Sequence, residues 1–505
     1  MLPELLMFLI FLTTWLLLTD YLAQKRSTQH MKCIPSVSKV PVMGSLIAML
    51  SFRPDNLHIK FHEFVERFGK TFYARVFGIL VVVTADVRYL EELLLGHKHT
   101  HKNMIYMMLR SWLGDGLILS HGQKWQTMRK ILTPTFHFKI LEQFVEVFDR
   151  QSTVLVQQLQ KFADGETVVN FYSHMKLAAV DIIAETAMGV RLNAQTNAKS
   201  KFVEAVDDVT NILTTRFIRP FIAYPLFFRL FAPTLYKKQL KGIAIMHEFT
   251  ENIIKKRREA LKNTQLIQKE AENDDENGNK KRSALLDVLL QSSIEGKPLT
   301  DKQIRDEVNT FLFAGHDTTT SATSLSLYLL SRNARVQQKL FEEIYAHFGN
   351  NRERAISVQD LQDLTYLNCV VKESLRVYPT IPAVGRLLQE DCVLTDATIP
   401  AGTNVIILIW EIVHDPDIFP EPFLFRPERH LESNSRANAF SNISFSAGPR
   451  NCIGQRFAQY QMKIFLIKML LHYELLPLGP DVEPCITIVL KSKTGVNFGL
   501  KPRLY

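Results

Sequence analysis

Residues 300 to 332 constrain the fold more than any other stretch of the chain. Ile304, Val308, Phe311, Leu312, Thr318 or Thr319, Ala322, Leu325 and Leu329 recur at three- and four-residue spacing, the period of one helix face. A helix of roughly 30 residues, rising about 1.5 Å per residue, is long enough to cross a whole domain. Its middle reads NTFLFAGHDTTT, from Asn309 to Thr320. Glycine costs a helix roughly 1 kcal/mol against alanine, and threonine hydroxyls compete for backbone carbonyls. A helix that places Gly315, His316, Asp317 and three threonines at its centre gives up local stability there.

The 505 residues could make two to four ordinary domains or one large one. Hydrophobic residues make up 46% and 33 are Phe, ample for a large helical interior. The net charge of +9 is modest, and no zinc-finger spacing or RNA-binding aromatic motif accompanies it, so nucleic acid is not expected as a partner. Anionic lipid or an acidic protein surface suits that charge better. Five cysteines form no CxxC pair, which points to a reducing compartment rather than a disulfide scaffold.

The N-terminus is apolar from Leu5 to Leu18, lacks a basic leading region and is followed by Lys25 and Arg26. That pattern predicts a retained membrane anchor over residues 1–24 with the body of the chain in the cytosol. Pro35, Pro41 and Gly44 mark a stiff linker over 25–44, leading into a body over 45–505. A strand-like run spans Thr71–Thr84, and a second β-leaning region spans Val393–Ile412 around the turn Pro400-Ala401-Gly402. Lys269–Lys281 is too polar to pack and reads as a surface loop. The expected fold is mainly α with a minor β region.

Chemistry concentrates in FSAGPRNCIGQRFA, Phe445 to Ala458. Cys452 lies between Gly448 and Gly454, just ahead of a helical pattern through Phe457, Met462, Phe465, Leu466 and Met469. Glycines allow close backbone approach to a flat cofactor, and a helix N-terminus beside the sulfur stabilises a thiolate. Taken alone, Cys452 reads equally well as a structural cysteine in a turn. Glu373 and Arg376 share one helix face, as ordinary ion pairs do. Trp125 and Arg129 lie four apart on a helix edge. His97, His99 and His101 alternate, but with no matching ligand set elsewhere they read as a solvated loop rather than a metal site.

Together these segments resemble the cytochromes P-450. FSAGPRNCIG matches that family's haem loop, F-x-x-G-x-R-x-C-x-G, at each fixed position. The resemblance implies the cytochrome P-450 fold, with haem b between the long central helix and this loop, Cys452 as axial thiolate, and Phe445 and Arg450 contacting the cofactor. Glu373-Ser-Leu-Arg376 resembles the family's E-x-x-R, and Pro427-Glu-Arg429-His430 its P-E-R-F element, whose arginine joins that pair as structural support. His430 replaces the usual Phe at what reads as a packing position. Trp125 and Arg129 match W-x-x-x-R and, with Arg386, become partners of the haem propionates. Gly315 would leave room over the haem, and Asp317 and Thr318 would deliver protons. Thr319 and Thr320 read as packing and helix-bonding residues, and His316 is not expected to bind metal.

WLGDGLILSHGQKW and HDPDIFPEPFLFRPERH are similar to family-4 members, the branch of fatty-acid ω-hydroxylases and their insect relatives. Many of that branch carry, ahead of G-H-D-T-T, a glutamate that becomes esterified to the haem. Here that residue is Ala314, which has no carboxylate, so the haem is expected to be extractable by acid–acetone. The resemblance implies a microsomal monooxygenase of the endoplasmic reticulum membrane that oxidises a fatty acid, terpenoid hormone or xenobiotic. Electrons would arrive from NADPH-cytochrome P-450 reductase, with cytochrome b5 as a further donor, at a basic face including Lys124, Lys130 and Arg456. Substrate contacts are expected from Phe217–Phe231. Two alternatives stay open: a haem-thiolate isomerase or dehydratase needing no external electrons, and a haem protein that binds ligands without turnover.

Overall fold

The computed structural model describes residues 31–37, 46–76, 79–197, 200–271, 284–431 and 443–504, with scattered positions between 4 and 22. The anchor expected over 1–24 and the linker over 25–44 lie largely outside the described residues. Among the described residues no helix is long and apolar enough to cross a membrane.

The predicted long helix forms over Asp301–Arg332, starting where Thr300 caps the Gln303 amide and Gln303 returns a bond to the Thr300 amide. From Asp306 to Ser331 each residue is buried except Ala314, Gly315 and Thr318. A helix buried on nearly every side must be surrounded by other elements. Phe171–Thr186, Gln455–His472 and Thr365–Val377 supply that cover, and their apolar faces join it in one large helical core.

A second, smaller core lies on a four-stranded sheet. Its order is Thr71–Val76, Ile79–Thr84, Asn404–Leu408 and Ala383–Leu387, with Val81 in parallel register beside Asn404 and Gly385 antiparallel to Ile406. The strand-like run at 71–84 is therefore an antiparallel hairpin. The second β-leaning region stops earlier than its residues suggest. Strand gives way to the helix Ile409–Val413, beyond which the His414 amide donates to the Trp410 carbonyl at 3.2 Å and His414 Nδ1 lies 2.8 Å from the same oxygen. Lys269–Ala271 continue the helix Pro233–Ala271 instead of opening a loop, and 272–281 lie outside the described residues.

Candidate haem site

The cysteine loop is held by its own backbone. The Cys452 amide donates to the Phe445 carbonyl at 2.9 Å, and Gly448–Arg450 make one 3-10 turn between them. Gly448 has φ +68°, and a Cβ there would lie 1.8 Å from the Leu94 carbonyl oxygen. That glycine thus serves the loop's packing on residues 91–95 and not, as its sequence position suggests, approach to a cofactor. The Cys452 thiol is exposed, yet burial is the largest influence on its pKa and pushes it up. Its open surface therefore faces an internal recess, not bulk solvent. The Gly454 amide and the Arg129 guanidinium act the other way and favour the thiolate.

Four cations gather beside this loop. Arg450 donates to the carbonyls of Thr100, Leu117 and Ser120, and its guanidinium lies 4.1 Å from the Trp125 ring centroid. Arg129 donates to the Asn451 carbonyl and side chain at 3.1 and 2.9 Å. Arg386 is 1% exposed, and its Nη2 is buried with no hydrogen-bond partner. Lys102, over the Tyr106 ring at 4.6 Å, completes the set.

Burial pushes the pKa of each of the four down, that of Arg450 to about 9, and Arg386 and Arg450 depress Lys102 further. The opposing influences come from Tyr106 and Cys452; no carboxylate among the described residues pairs with any of the four. Unpaired buried cations cost several kcal/mol each unless an anion joins them. A ligand with two carboxylates beside a thiolate-bound metal answers that demand, and the haem's propionates fit. The cluster takes in Trp125, Arg129, Arg386 and Arg450 as expected. Lys102 was missed because its one signal, a lysine ending the run HKHTHK, looks like solvated charge.

That run is a loop solvated only in part: His97 and Lys98 are exposed, and the rest turns inward. His99 is 5% exposed, and the His101 ring lies 4.6 Å from that of His121. Among the described residues no group of three His, Cys, Asp or Glu could hold a metal. His316 is also buried, bonded through Nδ1 to the Leu312 carbonyl at 3.0 Å.

On the central helix, Ala314 and Thr318 share one face at i, i+4 spacing and keep partial exposure in an otherwise buried run. That face opens inward. Gly315 does not share its task. A Cβ on Gly315 would meet Ile183 Cδ1 at 2.5 Å, so this glycine allows the helix Phe171–Thr186 to pack close, and the expectation that it clears space over the haem is corrected. Nor is the ladder broken. Thr318, Thr319 and Thr320 donate to the carbonyls of Ala314, Gly315 and His316, and the helix runs on unbroken. Asp317 is fully buried, with Oδ2 unpartnered.

Beneath the cysteine loop, Glu373 receives Arg376 on both oxygens at 2.9 Å and Arg429 on Oε1 at 2.9 Å. Arg376 also donates to the Val413 carbonyl at 2.9 Å, tying this cluster to the sheet's end. The family-variant residue joins in: His430 Nε2 lies 2.9 Å from Glu373 Oε2, so it is a polar partner and not the packing residue its position suggests. Burial raises the pKa of Glu373, but His430 and Arg376 overcome it and hold the carboxyl at about 2.

Two other expectations change. All three of the basic trio are exposed, but Lys124 is engaged by Asp115 at 2.6 Å, which leaves the charge of that face mainly to Lys130 and Arg456. Of Phe217–Phe231, Phe217, Ala223 and Tyr224 line an apolar cavity of about 130 Å³ near the sheet, and that cavity touches none of Ala314, Thr318 or Cys452. Leu226, Phe227, Leu230 and Phe231 face outward, 45–69% exposed.

Comparison with known proteins agrees with this geometry. The family model described as Cytochrome P450 matches residues 34–496. Cytochrome P450 4ae1 of Drosophila melanogaster is 55% identical over 94% of this chain and 93% of its own length. Cytochrome P450 4d2 of the same species is 46% identical over 97% of each. Cytochrome P450 4d8 is 47% identical over 90% of this chain and 99% of its own length.

Proposed function

From the premise that this chain belongs to the cytochrome P-450 family and is a haem-thiolate monooxygenase, we propose which residues run that reaction and in what setting. Cys452 would hold the haem iron through its thiolate. Lys102, Arg129, Arg386 and Arg450 neutralise the propionates, with Trp125 stacked on Arg450 and Phe445 closing the loop. The bound haem supplies oxygen activation, pushed by thiolate electron density. Ala314 and Thr318 line the space where O₂ and substrate meet. Asp317 and Thr318, adjacent on the helix, would deliver protons to that space, Asp317 through its unpartnered Oδ2.

The substrate is apolar: a fatty acid, a terpenoid hormone or a xenobiotic such as an insecticide. Phe311, stacked on Phe136 at 5.7 Å, and Phe313, against Trp112 at 4.7 Å, lie on either side of the Ala314–Thr318 face and give it apolar flanks, which suit an apolar substrate. NADPH-cytochrome P-450 reductase delivers the electrons, with cytochrome b5 as a further donor, through the face that carries Lys130 and Arg456. The N-terminal segment 1–24 anchors the protein in the endoplasmic reticulum membrane. Leu226, Phe227, Leu230 and Phe231 support that setting, since outward apolar side chains in sequence suit a lipid surface.

The observation that carries this reading is the cation cluster without an acid, beside a recessed cysteine. Cys452→Ala should abolish the red-shifted absorbance of the reduced, CO-bound protein. A variant that keeps that band would remove Cys452 from the iron.

A further inference from the structure

Asp317 belongs to a buried charge chain that the monooxygenase motifs do not include. Its Oδ1 lies 3.5 Å from Lys491 Nζ and 3.4 Å from the Tyr172 hydroxyl, while Oδ2 has no partner. Lys491 stands on the strand Leu490–Ser492 and also pairs with Asp207 Oδ1 at 3.0 Å. Asp207, on the helix Lys201–Ile218, gives its other oxygen to Lys176 of the helix Phe171–Thr186. Two lysines thus meet two aspartates, and four separate elements converge on one charge-balanced chain.

The distances decide how Asp317 is held. Lys491 is nearer Asp207 than Asp317, 3.0 Å against 3.5 Å, so its single charge is divided unequally. A buried carboxylate needs a cation to stay ionised. A carboxylate clamped on both oxygens could not turn toward its neighbour on the helix. Lys491 satisfies the first condition without imposing the second, since it engages one oxygen at the long end of ion-pair range. Burial pulls the Lys491 pKa down, but Asp317 and Asp207 together raise it, so the lysine stays charged.

We infer that Lys491 is a positioning residue for proton delivery: shared with Asp207, it holds Asp317 by Oδ1 loosely enough that Oδ2 remains available to Thr318. This rests on the relay reading of Asp317. Lys491→Met leaves Asp317 without a cation and Asp207 with Lys176 alone. Asp207→Asn leaves Lys491 undivided on Asp317, tightening the grip.

The test uses haem-loaded protein reconstituted with NADPH and its reductase. Lys491→Met should raise the share of electrons lost to peroxide several-fold and enlarge the solvent isotope effect on product formation. Lys491→Arg, which keeps the charge, should restore most of the coupling. Asp207→Asn should slow product formation with a larger isotope effect, while its CO-bound spectrum and substrate-induced spectral change stay those of the parent. Thermal midpoints of Lys491→Met, Asp317→Asn and the double variant give a readout independent of turnover and should be non-additive, since contacting groups couple. Additive midpoints, or Lys491→Met with parental coupling, would overturn the inference. If Asp317→Asn itself leaves peroxide release unchanged, it is the relay reading that falls.

Discussion

Two buried arginine clusters flank the cysteine loop, and they are built on opposite principles. Around Glu373, the positive charge of Arg376 and Arg429 meets a carboxylate with both oxygens engaged, and His430 adds a further bond. Beside Cys452, the cations Lys102, Arg129, Arg386 and Arg450 meet carbonyls, one asparagine and two aromatic rings and, among the described residues, no acid. The first cluster is complete within the chain and ties helix, loop and sheet together. The second is completed only by an anionic ligand. A carboxylate of its own, more than burial or arginine content, separates a buried cluster that holds a fold from one open to an anionic cofactor.

The contrast can be broken most forcefully at Glu373. Glu373→Gln leaves Arg376 and Arg429 buried against a neutral amide, and breaking a buried pair in this way costs about 3–5 kcal/mol. Denaturant unfolding should show that loss whether or not haem is bound. A variant as stable as the parent would erase the distinction between the clusters.

Arg386 should behave in the opposite way. Arg386→Met removes a charge that has no acid partner, so the haem-free protein should be as stable as the parent or more so. The haem-loaded form should lose its cofactor to a scavenging apo-globin roughly tenfold faster, the scale of one charge-assisted hydrogen bond at about 1.4 kcal/mol. Equal destabilisation of both forms would make Arg386 a structural residue like Arg376.

Acid separates the clusters a third way. The Glu373 carboxyl titrates at about 2, below its ordinary 4.5. A depressed carboxylate stabilises the fold above the unfolded pKa and loses that contribution as pH falls through the folded one. Stability should therefore decline between about pH 4.5 and 2, and Glu373→Gln should flatten that part of the profile. An unchanged slope in the variant would assign the acid sensitivity elsewhere.

The smallest effect is expected at His430. Its single bond to Glu373 contributes about 1 kcal/mol, so His430→Phe should lower the unfolding midpoint slightly. No change at all would return His430 to a packing role.

Much of this was legible in the letters. The helix predicted from Thr300 to Arg332 is observed from Asp301 to Arg332, because its apolar spacing and its Thr300–Gln303 cap are local features. The Cys452 loop, the Glu373–Arg376 pair and Arg429 were likewise readable, since each motif is short and its bonds run within a few residues or to a matching motif. Lys102 was not, because a lysine in a histidine-rich run looks solvated until Arg386 and Arg450 arrive from positions 284 and 348 residues away. Gly315 misled for a related reason. Space beside a glycine is visible in sequence, but not which neighbour takes it, and here Ile183 does.

By itself, then, the sequence determined the helical architecture, the loop motif around Cys452 and the absence of a carboxylate at Ala314, all of which depend on residue identity and near spacing. Only the tertiary structure decided which buried charges are balanced. Electrostatic pairing depends on distances of a few ångströms between residues far apart in the chain, and no local pattern encodes them. Lys491 is the clearest case: a lysine near the C-terminus with no motif of its own, it is brought against Asp207 and Asp317 by the convergence of two helices and a strand.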